Sequence, residues 1–104
     1  MDKFGLPQQT IDEICKYFST ITQVELVKIY GSRAKGNQKP YSDIDFVIYG
    51  NEITETLINK ISTELDELPT PYMYDVHWIR DITSEKLLTN INNTAQDFYK
   101  KEIG

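Results

Sequence analysis

The chain has 104 residues, 39% hydrophobic and 26% charged, so we expect a single domain, residues 1–104, and no long disordered stretch. Its net charge of −5 argues against general nucleic-acid binding, because phosphate contacts need Lys and Arg. No apolar run approaches the roughly 20 residues that cross a membrane, and the start, "MDKFGLPQQT", lacks the apolar stretch of a secretory signal. The single cysteine fits a reducing compartment. We therefore expect a cytoplasmic protein.

The first predicted element is a helix that opens at Thr10. The run Thr10-Ile11-Asp12-Glu13 has the Thr-x-x-Glu pattern of a capping box. Apolar residues then recur at helical spacing, at Ile11, Ile14, Cys15 and Phe18. Because Cys15 lies within this apolar stripe, we expect it to be a small buried side chain and not a nucleophile.

Two strands are predicted next, Val24–Tyr30 ("VELVKIY") and Asp43–Tyr49 ("DIDFVIY"), since β-branched and aromatic residues dominate both. Between them, Gly31-Ser32 precedes a short predicted helix through Arg33-Ala34-Lys35. The segment from 28 to 39 carries four cations and no anion. It can face a phosphate-bearing small molecule, or it can be a solvated basic loop.

The second half alternates helix and strand. Thr54 is predicted to cap a helix with one apolar face, made by Leu57, Ile58, Ile61 and Leu65, and "LPTPY" ends that helix. Met73–Ile79 ("MYDVHWI") is a third strand, and Thr83 is expected to cap a further helix. The tail from Thr94 to Gly104 is expected to add one or two helical turns that carry Phe98.

The predicted order is α-β-loop-β-α-β-α. It indicates a small α+β or α/β domain, with a mixed sheet of at least three strands flanked by helices.

Two carboxylates lie at the head of the second strand, which is otherwise apolar. Side chains alternate in a strand, so Asp43 and Asp45 point to one face while Ile44, Phe46 and Ile48 point to a core. Close carboxylates repel each other unless a cation joins them. Oxygen ligands favour Mg²⁺ or Mn²⁺, although an Asp-x-Asp pair also arises by chance.

A third carboxylate, Asp75, interrupts the apolar run of the third strand. If the second and third strands are neighbours, Asp75 joins Asp43 and Asp45, and three carboxylates can hold two metal ions. The alternative for Asp75 alone is a salt bridge to Arg33 or Arg80. On the same strand, His77 lies on the face of Asp75. It is either a hydrogen-bonded neighbour with no chemical role or an aid to substrate positioning. Trp78 faces the other way and is expected in the core.

Gly31-Ser32 lies just ahead of the paired carboxylates in the chain. Glycine lets the backbone approach a ligand closely, and N–H groups at the start of a helix bind phosphate oxygens. By itself the pair indicates a simple turn, so its interest lies in its position.

Taken together, "GSRAKG", "SDIDF" and "YDV" resemble the nucleotidyltransferase motif of the DNA polymerase β superfamily, most closely that of the minimal nucleotidyltransferases. The resemblance spans Tyr30 to about Val76. It implies a polymerase-β-like fold and a Mg²⁺-dependent transfer, with Mn²⁺ as a substitute, of a nucleoside monophosphate such as AMP from ATP to an acceptor hydroxyl.

Carried onto this sequence, the family motif assigns two sets of residues. The catalytic and metal-binding set is Asp43, Asp45 and Asp75. The nucleotide-binding set is Gly31, Ser32 and Arg33. The first two carboxylates would hold both ions, the third would ligate the second ion and help remove the acceptor proton, and the glycine and serine would bind the β- and γ-phosphates. The arginine would brace a carboxylate or contact phosphate.

The resemblance also implies a partner. Minimal nucleotidyltransferases are commonly paired with a HEPN-domain toxin, and they can act as the antitoxin by attaching AMP to a tyrosine of that toxin in a hetero-oligomer. Two alternatives remain open: an antitoxin subunit that binds nucleotide without catalysis and neutralises its partner by binding, and a transferase that modifies a small molecule.

Overall fold

A computed structural model gives the fold, and the structure describes residues 3–102. Its elements in chain order are α1 (Gln8–Ser19), β1 (Leu26–Tyr30), α2 (Ser32–Lys35), β2 (Ile44–Tyr49), α3 (Glu55–Asp66), β3 (Tyr74–Trp78), a 3₁₀ turn (Ile79–Asp81), α4 (Glu85–Thr94) and β4 (Gln96–Lys100). Within the described residues, none of these helices is long and apolar enough to cross a membrane.

The four strands form one mixed sheet in the order β3-β2-β1-β4. β1 pairs antiparallel with both β2 and β4, and β2 pairs parallel with β3. The parallel pair needs a crossover connection, and α3 supplies it. The predicted mixed sheet flanked by helices is therefore confirmed, with a fourth strand added.

Helices cover the two faces of the sheet unequally. On one face, α1 and α3 build the main core against β1 and β2, through buried residues that include Ile14, Phe18, Ile29, Phe46 and Ile61. On the other face, a smaller cluster joins Ile91 of α4 to Tyr30 and Val47. The second face therefore stays open beyond α4.

α1 begins earlier than its predicted capping box. Pro7 occupies the N-cap position, Thr10 lies inside the helix with a buried side chain, and no side chain caps the first turn. The prediction that Thr10 opens the helix is wrong. Proline lacks an N–H and fixes φ near the helical value, so a helix can start directly after it.

The starts of α3 and α4 were predicted more closely. Thr54 caps α3 as expected, since its hydroxyl accepts a hydrogen bond from Leu57 N at 3.1 Å. α4 is capped by Ser84 and not by Thr83, because the Ser84 hydroxyl accepts from Leu87 N at 3.2 Å. The two hydroxyl residues are adjacent, and only the structure shows which one lies at the N-cap.

The tail is a strand and not the predicted helical turns. β4 pairs with β1, and the register shifts between Val27 and Lys28, so that Phe98 has no direct partner opposite it. Because of this bulge, Phe98 and the neighbouring Tyr99 both pack against the main core. The last two residues of the predicted tail, 103–104, lie outside the described residues.

Candidate active site

The three predicted carboxylates lie together on the open face of the sheet. Asp45 in β2 is the register partner of Asp75 in β3. Asp43 lies two residues before Asp45, just ahead of the first strand residue, Ile44. The condition set by the sequence, that the second and third strands be neighbours, is met.

Negative charge accumulates around Asp45, which is half-buried. Burial raises the pKa of the Asp45 carboxyl, and the charges of Asp75 and Asp43 raise it further. His77 and Arg33 lower the same pKa without cancelling the rise. A site of this kind gains stability from a bound cation, because the cation offsets the repulsion between the carboxylates.

Gly31 brings the backbone against Asp45. It joins β1 to α2 with φ 77° and ψ −153°, a conformation that is essentially restricted to glycine. A Cβ at this position would lie 2.5 Å from Oδ2 of Asp45, closer than any real contact. The glycine is therefore needed for both the backbone path and the space that Asp45 occupies, and Ser32 begins α2 directly beside it.

Tyr30 belongs to this site, although the sequence patterns did not single it out. It is the last residue of β1, the register partner of Asp45, and only 6% exposed. Burial raises the pKa of its phenol well above the usual range, and Asp45 and Asp75 add to that rise. The phenol of Tyr30 therefore stays protonated and lines the site. In the sequence, the only feature that points to this residue is its position directly before Gly31.

His77 is the side chain in contact with Asp75. Its Nε2 lies 3.1 Å from Oδ1 of Asp75, and both side chains are about half exposed. Among the described residues, neither Arg33 nor Arg80 forms the salt bridge to Asp75 that was the alternative from sequence. Trp78 packs against the main core, as predicted.

Arg33 is buried beside the site, with 1% of its surface exposed. Its guanidinium donates hydrogen bonds to backbone carbonyls on either side, at Phe4, Gly5, Pro40 and Ser42. Burial lowers its pKa, while Tyr72, Asp43 and Asp45 act in the opposite direction. These contacts favour a bracing role, and its predicted contact with phosphate stays a prediction.

The donor set fits a divalent cation in chemistry. Three carboxylates offer the oxygen ligands that Mg²⁺ and Mn²⁺ prefer. Burial and the two neighbouring carboxylates raise the pKa of Asp45, and a bound cation would counter both effects. As placed in the described part of the chain, however, no three acidic, histidine or cysteine side chains are close enough to hold an ion. The carboxylates would have to turn inward to enclose one, and Asp75 would have to loosen its contact with His77.

Comparison with known proteins places this geometry in a family context. The family model described as "Polymerase beta, Nucleotidyltransferase" matches residues 12–103, which is nearly the whole chain. No curated protein sequence matches the chain significantly.

Solved structures share the fold at low sequence identity. A toxin–antitoxin structure with AMP-PNP is 17% identical, with a TM-score of 0.68 over 93% of this chain and 76% of that chain. The toxin–antitoxin MntA–HepT is 15% identical, with a TM-score of 0.65 over 91% of this chain and 74% of that one. The Shewanella oneidensis tri-AMPylated HEPN toxin in complex with its MNT antitoxin is 16% identical, with a TM-score of 0.66 over 90% and 72% of the two chains.

Proposed function

Because this chain belongs to the polymerase beta nucleotidyltransferase family, we propose that it transfers AMP from ATP to an acceptor hydroxyl. The observation that carries the proposal is the meeting of three carboxylates, Asp43, Asp45 and Asp75, beside the Gly31–Ser32 turn. Such a pairing of metal ligands with a phosphate-binding turn suits in-line displacement at phosphorus.

Each residue has a distinct task in the proposed reaction. Backbone N–H groups and the hydroxyl of Ser32 bind the β- and γ-phosphates, and Gly31 leaves room for them. Asp43 and Asp45 would hold divalent ions, and these would supply charge stabilisation for the attacking and leaving oxygens. Asp75 would complete the donor set and accept the proton of the acceptor hydroxyl.

The step itself exchanges one P–O bond for another. The acceptor oxygen forms a bond to the α-phosphorus of ATP, and the bond from that phosphorus to the oxygen bridging the β-phosphate breaks. Pyrophosphate leaves with the electron pair, and AMP stays on the acceptor. Tyr30, the register partner of Asp45, is buried against Val47 and Ile91 of α4 and forms an apolar boundary on one side of the site.

We further propose that the acceptor is a tyrosine of a HEPN-domain toxin, so that the chain acts as the antitoxin of a toxin–antitoxin pair. Two structural neighbours support this: the MntA–HepT complex and the Shewanella oneidensis complex, whose toxin is tri-AMPylated. The AMP-PNP in a third neighbour supports ATP as the nucleotide.

The test uses labelled ATP, Mg²⁺ and the candidate HEPN partner. We expect the wild-type chain to label the partner and Asp43→Ala/Asp45→Ala to label it at least about 100-fold less, because loss of the ions removes several kcal/mol of transition-state stabilisation. Asp66→Ala/Glu67→Ala removes two exposed carboxylates at the end of α3 and should label the partner normally. Equal labelling by the Asp43/Asp45 variant would exclude the assignment.

A non-catalytic antitoxin is the second candidate, favoured by the structural neighbour in which an MNT antitoxin is in complex with a HEPN toxin. In that case the chain would neutralise its partner by binding alone. Growth of cells that express the toxin distinguishes the two, since Asp43→Ala/Asp45→Ala rescues growth only if binding suffices.

A further inference from the structure

Arg33 is a buried cation that contacts the N-terminal turn and the segments that precede β2 and β3. We propose that Arg33 is a positioning residue, one that fixes the Gly31–Ser32 turn relative to the segment that carries Asp43, and that it does not bind phosphate. The inference rests on the proposed function, because it concerns the geometry of the same site.

The first set of contacts joins α2 to the metal-binding segment. Arg33 Nε and Nη2 donate to the carbonyl of Ser42 at 3.1 and 2.8 Å, and Nη2 also lies 3.4 Å from the carbonyl of Pro40. Ser42 directly precedes Asp43. One planar guanidinium therefore sets the distance between the start of α2 and the first carboxylate.

The second set joins α2 to the N-terminal turn, residues 3–6. Arg33 Nη1 donates to the carbonyl of Phe4 at 3.0 Å and to that of Gly5 at 3.4 Å. Phe4 has a φ of 60°, which is rare for a non-glycine residue and strains the backbone. The surrounding contacts hold this strained turn in place, and its effect is to direct two carbonyls at the guanidinium.

The third contact extends toward the strand of Asp75. The guanidinium carbon lies 5.0 Å from the ring centre of Tyr72, two residues before β3 begins at Tyr74. Arg33 thus contacts the segments that lead into β2 and β3 and lies on the helix that follows Gly31. Its 1% exposure leaves little surface for a phosphate.

Lysine cannot replace this network. An ammonium keeps the charge but lacks the planar set of five N–H donors that spans several carbonyls at once. Arg33→Lys therefore changes geometry and leaves the electrostatic field near the carboxylates almost the same. The only other arginine in the sequence, Arg80, is exposed, so Arg80→Lys is a matched control.

The deciding measurement is the affinity for Mn²⁺ without nucleotide. Binding is monitored by electron paramagnetic resonance, in which the signal of free Mn²⁺ decreases as the ion binds. We expect Arg33→Lys to bind Mn²⁺ about 10–100-fold more weakly than wild type, as for residues that orient metal ligands, while Arg80→Lys binds normally. The KM for ATP in the transfer assay should rise in parallel. A residue that only contacts phosphate would leave nucleotide-free Mn²⁺ binding unchanged, and that result would overturn the inference.

The outcomes separate this inference from the proposed function. A wild-type chain that binds Mn²⁺ but transfers no AMP contradicts the proposed function, and the Mn²⁺ comparison still decides the role of Arg33. A wild-type chain that binds no Mn²⁺ without nucleotide overturns the role given to Arg33, and the transfer assay with Mg²⁺ and ATP still decides the proposed function.

If Arg33→Lys does not fold, judged by circular dichroism, Phe4→Ala takes its place. This substitution removes the ring that packs 5.8 Å from Phe98 and so loosens the N-terminal turn. We expect at least threefold weaker Mn²⁺ binding, and unchanged binding by a folded Phe4→Ala would overturn the inference.

Discussion

At the scale of single residues, Gly31 and Asp45 depend on each other. The glycine has a backbone conformation that side chains resist, and the carboxylate fills the space that a Cβ would need. Gly36, at the other end of α2, also has a positive φ, of 80°, but no atom lies within 4 Å of the place of its Cβ. Both glycines would suffer backbone strain on substitution, but only at Gly31 would a Cβ also collide with Asp45.

Substitution of these two glycines by alanine should give different results. Gly36→Ala should destabilise the fold by about 1–2 kcal/mol, from strain alone, and keep its activity. Gly31→Ala should cost about 1–3 kcal/mol and, by displacing Asp45, lower AMP transfer on the order of 100-fold. Urea unfolding and the transfer assay check the pair, and equal activity in both variants would contradict the role given to Gly31.

The raised pKa of Asp45 makes the site a source of instability. In the folded chain this carboxyl holds its proton more tightly than in the unfolded chain, so stability falls as pH rises from about 4 through the folded pKa. Asp45→Asn removes the charge. The variant should therefore be more stable than wild type at pH 7, and the difference should shrink toward pH 4.

Urea unfolding in EDTA at both pH values tests this expectation, since bound divalent ions would hide the repulsion. A wild-type chain as stable as Asp45→Asn at pH 7 would show that the carboxylates are not in conflict. Asp45→Asn should also lose AMP transfer. Loss of activity together with a gain in stability would show that the destabilising carboxylate is one that the reaction needs.

The sequence predicted the carboxylates and the glycine because their residue types conflict with their surroundings. A charged residue inside an apolar strand is visible without a structure. Tyr30 and the network of Arg33 gave no such signal: a tyrosine at a strand end is ordinary, and the carbonyls that Arg33 contacts come from residues as distant as Phe4 and Ser42.

At the scale of elements, β4 is the largest difference from the sequence-based prediction, which expected helical turns in the tail. It pairs with the edge of β1, and the Gln96 amide donates to the carbonyl of Ala34 in α2 at 2.6 Å. The tail therefore supports the helix that follows Gly31. Its bulge places Phe98 and Tyr99 against the core together, so the alternation that marks a strand is absent from its sequence.

Removal of the Phe98 ring tests the docking of β4. The centre of the Phe98 ring lies 4.8 Å from the centre of the Phe46 ring, and Phe46 is fully buried in the main core. Phe98→Ala should reduce the free energy of unfolding by about 2–4 kcal/mol, whereas Tyr41→Ala, at an 87% exposed residue, should change it by less than about 0.5 kcal/mol. A small effect of Phe98→Ala would contradict the docking of β4 against the main core.

At the scale of the whole molecule, the sheet order creates the site. β1 ends at Tyr30, next to Gly31, β2 carries Asp45, and the crossover through α3 returns β3 parallel to β2 with Asp75 in register. The sequence predicted three of the four strands, but strand adjacency depends on contacts between distant segments, which short-range patterns do not show. The open part of this face is where an acceptor from a second protein can approach.

The most direct test of the account compares ATP labelled at the α-phosphate with ATP labelled at the γ-phosphate, each incubated with the chain, Mg²⁺ and the HEPN partner. Nucleotidyl transfer predicts that only the α-label reaches the partner, on tyrosine, and that Asp43→Ala/Asp45→Ala abolishes it. Transfer of the γ-label, or of no label by a folded wild-type chain that binds its partner, would contradict the account.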